Sequence, residues 1–261
     1  MAEKSEDIKK KSVCVYDSDS SQEDAGSDFD LPLMKLSLGP RKKLLVLSLG
    51  GLLCHRVHRR ERTVSINRSP DANFGNFKIY KRPYCTDFMK FCLERFEVII
   101  WSAAIERNMN GAMDCIMMGL RDKILFAWDQ RKCTDGGINA LEMKGKPVFL
   151  KELKKIWEES SVISKHKDKF SSSNTLLIDT HPYRALLNPP NTAVFLTEYE
   201  ATHVSDKALG PGGELREYLD GVVDAADVPS YVKEHPFGQP AMTPMHPDWD
   251  HYSKILTCKM N

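Results

Sequence analysis

The segment Arg41-Lys-Lys-Leu-Leu-Val-Leu-Ser-Leu-Gly-Gly-Leu-Leu-Cys-His55 decides the fold of this chain. Its continuous apolar run, Leu44 to Leu47, is typical of a parallel strand that is buried on both faces. The run ends in Ser48-Leu49-Gly50-Gly51, a glycine turn where the backbone can approach a ligand closely. Ligands of open α/β sheets bind beyond the carboxyl ends of the strands, so the predicted functional site is at this turn.

Further short runs of β-branched and aromatic residues predict the other strands of the same sheet. These runs are Phe96–Trp101, Ile124–Trp128, Thr175–Ile178 and Thr192–Leu196. Helical segments are predicted between the strands. We therefore predict an α/β fold in which helices flank a doubly wound parallel sheet.

Apolar residues at three- and four-residue spacing predict the helices. One helix has Thr86 as its predicted N-cap, and the next carries its buried face from Ile105 to Leu120. A third is predicted to open at Pro147, because proline is favoured in the first helical turn. Another helical segment is predicted from Glu214 to Ala226.

The 261 residues are 41% hydrophobic and 28% charged, which is enough for one sizeable core with tails. Residues 1–38 are rich in Ser, Asp, Glu and Lys, and we predict that they form a disordered acidic arm. The globular domain is predicted at residues 39–205. Residues 206–261 are predicted to be a helical and coil extension that packs on this domain.

Composition also limits the location and the partners of the protein. The net charge of +1 does not indicate a nucleic-acid-binding protein. The seven cysteines lack zinc-site spacing, so we expect free thiols in a reducing compartment. We find neither an apolar signal-peptide core nor a run of the roughly 18 to 20 apolar residues that a membrane span needs, and we expect the nucleus or the cytoplasm. The basic stretch 55–62 indicates a solvated loop, a docking surface for an acidic or phosphorylated peptide, or a nuclear-import signal.

Four further motifs follow the glycine turn along the chain. They are Tyr80-Lys-Arg-Pro-Tyr84, Phe96-Glu-Val-Ile-Ile-Trp-Ser-Ala-Ala104, Lys146-Pro-Val-Phe-Leu-Lys-Glu-Leu153 and Leu176-Leu-Ile-Asp-Thr-His-Pro-Tyr183. In order and spacing they resemble the phosphatases of the haloacid dehalogenase (HAD) superfamily. The similarity is to the branch of the RNA polymerase carboxy-terminal-domain phosphatases and the NLI-interacting-factor-like proteins, and the run Leu209–Arg216 resembles its plant members.

The resemblance implies a role for each matched residue. In this branch the first motif reads Asp-x-Asp-Gly-Thr, in which the first Asp attacks phosphorus and the second is the general acid and base. Here Ser48 and Gly50 stand at the two Asp positions, and Leu52 replaces the Thr. By the same resemblance, Ser102 and Lys151 would hold the transferring phosphoryl group. Asp179 would coordinate Mg²⁺, the cofactor of the family.

The two replacements predict a loss of catalysis. A serine hydroxyl needs a base before it can attack, and Gly50 removes the neighbouring carboxyl group. With fewer carboxylates, we expect Mg²⁺ to bind weakly or not at all, which leaves Asp179 as a vestigial ligand. The backbone N–H groups of Gly50 and Gly51, with Ser102 and Lys151, remain as a predicted phosphate-binding site.

We therefore predict a catalytically impaired pseudophosphatase that binds a protein or phosphoprotein partner, without direct contact to nucleic acid. One alternative is a weak Mg²⁺-dependent protein-serine phosphatase. Another is a relative of the presequence-receptor subunit of the mitochondrial inner-membrane translocase, which the same family includes. Such subunits carry a targeting sequence and a membrane span, and neither is found in this sequence.

Each site residue also has a local structural interpretation. Ser102 fits a helix cap, Lys151 a solvated helix lysine, and Asp179 a cap of the turn that follows it. A further hypothesis makes His181 the base for Ser48, oriented by Asp179 as in a Ser-His-Asp triad.

Overall fold

A parallel sheet lies at the centre of the computed structural model, which describes residues 42–61, 66–142, 145–163, 169–203 and 205–259. The predicted acidic arm, residues 1–38, falls outside the described residues. In chain order the elements are β1 (Leu44–Ser48), β2 (Cys54–His58), β3 (Ala72–Phe74), β4 (Phe77–Lys81), α1 (Cys85–Arg95), β5 (Glu97–Trp101), α2 (Glu106–Ile116), β6 (Phe126–Trp128), β7 (Thr134–Asn139), β8 (Pro147–Leu150), α3 (Leu153–Ile163), β9 (Thr175–Asp179), β10 (Ala193–Phe195), α4 (Glu214–Asp224), α5 (Val228–Glu234), α6 (Trp249–Tyr252) and α7 (Lys254–Lys259).

The central sheet has five strands in the order β10-β9-β1-β5-β6, and every neighbouring pair is parallel. This confirms the predicted α/β fold. β1 lies in the middle, and Leu44 to Leu47 are all 0% exposed. Alternate residues of β1 enter different cores: Leu45 and Leu47 pack with residues of α1, α2 and α4, and Leu44 and Val46 pack with residues of α3. Helices therefore cover both faces of the sheet.

Two small antiparallel sheets flank the centre. One has the order β2-β4-β3 and begins directly after the glycine turn, and the other is the pair of β7 and β8. The predicted helix at Pro147 is therefore wrong, since residues 147–150 form β8 and α3 begins at Leu153. The burial of these residues has the period of two of a strand, with Val148 and Leu150 buried and Phe149 only half-buried. Pro147 is the first strand residue, a position where a strand accepts proline.

The predicted N-cap of α1 is also wrong. The helix begins at Cys85, and its N-cap position is Tyr84, in the left-handed region at φ 62°. The chain already turns at Arg82, whose carbonyl accepts a hydrogen bond from the N–H of Cys85 (3.1 Å). The helix therefore starts before Thr86, which lies in its first turn.

The C-terminal elements contact residues that lie earlier in the chain. α4, predicted at 214–226 and found at Glu214–Asp224, adds Leu215 and Leu219 to the core that contains α1 and α2. The N–H of Gln239 donates to the carbonyl of Phe195 in β10 (2.7 Å). The ring of Tyr252 stacks on that of Tyr183 at 4.6 Å between centroids. None of the helices in the described part of the chain is long and apolar enough to cross a membrane.

Candidate functional site

Three of the predicted site residues lie at the carboxyl ends of adjacent central strands. Ser48 is the last residue of β1, and Asp179 is the last residue of β9. Ser102 directly follows β5, on the other side of β1. This is the edge of an open α/β sheet where ligands bind.

Lys151 reaches the same place from a different element. It directly follows β8, and its backbone is fixed by hydrogen bonds from Lys151 N to the carbonyl of Arg184 (2.8 Å) and from Asn188 Nδ2 to the Lys151 carbonyl (2.8 Å). Its ammonium donates to Oδ2 of Asp179 (2.6 Å) and also to Oγ of Ser48. The Ser48 hydroxyl in turn donates to Asp179 Oδ2. The three side chains therefore form a closed cluster, and each is at most 1% exposed.

The second oxygen of Asp179 is also occupied. Oδ1 accepts hydrogen bonds from the backbone N–H groups of Thr180 (2.7 Å) and His181 (3.2 Å) and from Nη1 of Arg184 (3.0 Å). Burial by itself raises the pKa of Asp179, but the positive charges of Lys151 and Arg184 outweigh that effect and hold the pKa well below its usual range. Asp179 is therefore an ionised carboxylate, and it also caps the turn after β9.

These residues do not fit Mg²⁺, which prefers several oxygen ligands and commonly one or two carboxylates. Asp179 is the carboxylate of the cluster, and both of its oxygens already accept bonds from cations or N–H groups. The ammonium of Lys151 contacts both Ser48 and Asp179, and its positive charge would repel a metal cation at that oxygen. Among the residues that the structure describes, no three His, Cys, Asp or Glu side chains are arranged to hold a metal ion.

The glycine turn is held by its own hydrogen bonds. The N–H of Gly51 donates to the carbonyl of Cys54 (2.8 Å), so it is engaged within the turn. Gly51 has φ +78°, and a Cβ there would lie 2.8 Å from Oε1 of Glu198 and 3.0 Å from Oγ1 of Thr180. Only glycine suits this position. Leu52 faces inward and is 0% exposed.

Ser102 makes a local contact. It is buried, and its hydroxyl accepts a hydrogen bond from the N–H of Ala104 (3.1 Å). The N-cap position of α2 is Ile105, so Ser102 caps the turn before the helix and not the helix itself. Of the predicted phosphate-binding side chains, Lys151 is therefore joined to Ser48 and Asp179, and Ser102 is bonded within its own loop.

The hypothesis of a Ser-His-Asp triad is wrong. Nδ1 of His181 shares a hydrogen bond with Oγ1 of Thr180 (2.9 Å), and its Nε2 lies 3.8 Å from Oε2 of Glu198. The Ser48 hydroxyl is bonded to Lys151 and Asp179. Burial, with a smaller effect from Arg184, lowers the pKa of His181 to about 4, so its ring is neutral at physiological pH.

Two arginines near the site were not predicted from the sequence. Arg184 lies in the short 3₁₀ helix Pro182–Ala185. It follows Asp179, the acid at the end of β9, by five residues, and this proximity in the sequence could have indicated that the two side chains interact. Arg56 belongs to the basic stretch 55–62, but its distance from the site could not be read from that stretch. In the structure its guanidinium lies beside Gly50.

Comparison with known proteins agrees with the motifs. The family model for the NLI interacting factor-like phosphatases matches residues 43–229. An uncharacterised FCP1 homology domain-containing protein of Schizosaccharomyces pombe is 25% identical over 202 residues, which are 75% of this chain and 78% of the relative.

Two solved structures are also similar. One is Fcp1, described as an essential RNA polymerase II CTD phosphatase, with a TM-score of 0.41 and 13% identity. The other is a fission yeast Fcp1 variant bound to beryllium fluoride, with a TM-score of 0.40 and 12% identity. Each match covers 83% of this chain, which spans 62% of the length of either Fcp1 structure.

Proposed function

The chain belongs to the NLI interacting factor-like phosphatase family, and from this premise we propose that it is a catalytically impaired pseudophosphatase that binds a protein or phosphoprotein partner. The observation that carries the proposal is the state of Ser48. At the end of β1, where the family has its nucleophilic carboxylate, a buried serine hydroxyl is held between Lys151 and Asp179.

This arrangement does not support attack on phosphorus. A hydroxyl becomes nucleophilic when a base removes its proton, and the acceptor of the Ser48 proton is Asp179. Lys151 and Arg184 keep the pKa of that carboxylate well below its usual range despite its burial, so it is a very weak base. General acid and base assistance is worth roughly a hundred- to ten-thousandfold in rate, and Gly50 supplies none.

The competing function is a weak Mg²⁺-dependent protein-serine phosphatase. The contact between Lys151 and Asp179 favours it, because both residues match family motifs and lie beside the end of β1. Against it stands the arrangement around Asp179, because both of its oxygens already accept hydrogen bonds from cations or backbone N–H groups and neither Ser48 nor Gly50 supplies a carboxylate.

A hydrolysis assay separates the two functions. The purified protein is incubated with p-nitrophenyl phosphate and Mg²⁺, beside a variant that carries both Ser48→Asp and Gly50→Asp. We expect no turnover by the unaltered protein and a gain of turnover by the double variant. Turnover by the unaltered protein that persists through purification and disappears in a folded Asp179→Asn variant would overturn the proposal.

We propose the nucleus or the cytoplasm as the location. The cysteines Cys54, Cys85, Cys92, Cys115 and Cys133 are free thiols, which suits a reducing compartment. Fractionation of cells that express the tagged full chain tests this location, and recovery in a secreted or organellar fraction would contradict it.

A further inference from the structure

Arg56 lies at the rim of the site described above. It is a half-buried residue of β2, two positions after the strand begins. The position of a Cβ on Gly50 would lie 3.6 Å from Nη2 and 3.7 Å from Nε of Arg56. The guanidinium is therefore beside the place where the family has its second carboxylate, and here no carboxylate is attached to the backbone.

Within the described part of the chain, no Asp or Glu forms an ion pair with Arg56, whereas Arg82, Arg184 and Arg216 all have such a partner. Its guanidinium lies over the ring of Phe77 in β4, 5.8 Å from the centroid, which orients the side chain without cancelling its charge.

The same hairpin carries further cations. Arg56 and Lys81 lie on one face of it, because Arg56 is opposite Ile79 and Cys54 is opposite Lys81 in the antiparallel register. Arg59, Arg60 and Lys78 are exposed, and no ion pair of theirs is found among the described residues. Lys78 is opposite Val57 and therefore lies on the other face of the hairpin, so Arg56 and Lys81 are the cations that share this face. The half-exposed carboxylate of Glu198 lies beside Gly51, the next residue of the turn.

The two cations inside the site, Lys151 and Arg184, are both bonded to the carboxylate of Asp179. Lys151 is 1% exposed and bonded to Ser48 and Asp179, and Arg184 is bonded to the other oxygen of the same carboxylate. Arg56 is therefore a cation beside the glycine turn that is not bonded to Asp179.

We propose that Arg56 binds the phosphate group of a phosphorylated serine or threonine peptide at the rim formed by Gly50. This inference rests on the proposed function and names the residue that recognises the ligand. A planar guanidinium matches phosphate oxygens with two parallel N–H donors, which a lysine cannot do. A peptide is favoured over a nucleic acid because nucleic-acid binding relies on many spaced phosphate contacts, and the chain has a net charge of only +1.

Gly50 offers a direct test of this geometry. A side chain at residue 50 is sterically allowed, since the contact of its Cβ with Arg56 would be ordinary van der Waals contact. Gly50→Asp would place a carboxylate against the guanidinium and neutralise it. Gly50→Asn has the same size and no charge, so it measures the steric contribution alone.

The experiment is a fluorescence anisotropy titration of the full chain. Two fluorescein-labelled peptide mixtures with degenerate flanks are compared, one with a central phosphoserine and one with a central serine, together with a labelled single-stranded oligonucleotide. The variants are Arg56→Gln, Gly50→Asp and Gly50→Asn, with Arg60→Gln as the matched loss of charge on the same hairpin. Equal melting temperatures show that the variants fold.

We expect the unaltered protein to bind the phosphoserine peptides more tightly than the serine peptides. The affinity for the phosphoserine peptides should fall roughly tenfold or more in Arg56→Gln, and it should fall further in Gly50→Asp than in Gly50→Asn. The inference fails if the phosphoserine peptides do not bind more tightly than the serine peptides, or if Arg56→Gln binds them as tightly as the unaltered protein does. It also fails if Arg60→Gln loses as much affinity as Arg56→Gln, or if the oligonucleotide binds more tightly than the phosphoserine peptides. Each of these results leaves the proposed loss of catalysis standing, because the hydrolysis assay decides that part of the proposed function separately.

Discussion

The ammonium of Lys151 lies 2.6 Å from Oδ2 of Asp179, and the two side chains are 1% and 0% exposed. Both charges have left water, so their mutual attraction must offset a large desolvation cost. Arg184 adds a second cation at 3.0 Å from the other oxygen of the carboxylate. One buried carboxylate therefore compensates two cations, and Asp179 is the residue on which the electrostatic balance of the site depends.

Asp179→Asn is expected to lower the free energy of unfolding by about 3–5 kcal/mol, because it leaves Lys151 buried without a counter-charge. Urea denaturation followed by circular dichroism measures the change. The double variant Asp179→Asn with Lys151→Met removes both charges, so its free energy of unfolding should decrease less than that of Asp179→Asn alone. Equal losses in the single and the double variant would contradict this account of the pair.

Gly51→Ala is expected to lower the free energy of unfolding by about 1–2 kcal/mol, because an alanine is strained at φ +78°. The new methyl group would also press on Glu198 and Thr180. Gly50→Ala is the matched control in the same turn, since Gly50 meets only ordinary contacts with Arg56. Thermal melting of the two variants side by side checks the difference, and similar melting temperatures would refute it.

Stability should decrease as the pH falls below about 6.5, the ordinary pKa of histidine. Burial lowers the pKa of His55, against a smaller opposing effect of Glu200 and Glu61, and its Nδ1 accepts a hydrogen bond from the N–H of Ala201 (3.0 Å). Because the folded state resists protonation more than the unfolded state does, His55 contributes stability above this pH and loses it as the pH falls through the lowered pKa.

Urea midpoints measured between pH 8 and pH 5 test this dependence on His55. His55→Asn keeps an acceptor near the position of Nδ1 and cannot titrate in this range. We expect the slope of the pH profile to become smaller, with a remainder from His181, whose pKa is lowered to about 4. An unchanged slope would assign the whole effect to another group.

Millimolar Mg²⁺ is expected to leave the melting temperature of the unaltered protein unchanged, because Asp179 has no free oxygen to offer. The variant with Ser48→Asp and Gly50→Asp should gain a Mg²⁺-dependent rise, since a ligand that binds only the folded state stabilises it. Differential scanning fluorimetry with and without EDTA measures both. A Mg²⁺-dependent rise in the unaltered protein would show that the folded protein binds the metal and would contradict this prediction.

The local residue pattern predicted the central strands more accurately than it predicted the start of α1 or the structure of residues 147–150, which precede α3. β1 was recognised because Leu44 to Leu47 are continuously apolar, as a strand covered on both faces must be. Residues 147–150 were misassigned because a proline before apolar residues suits both a first helical turn and the start of a strand. Their antiparallel pairing with β7 decided between the two.

The amino-acid sequence by itself determined that the protein has a parallel α/β sheet and that the two acids at the end of its first strand are absent, because both follow from residue types at adjacent positions. Only the tertiary structure decided what Ser48, Lys151 and Arg56 touch. Ser48 and Lys151 are 103 residues apart in the chain, and the path of the β7–β8 hairpin brings them together. The fold of β2 onto the glycine turn sets Arg56 beside Gly50, and contacts of this kind depend on how elements pack, which no short-range pattern records.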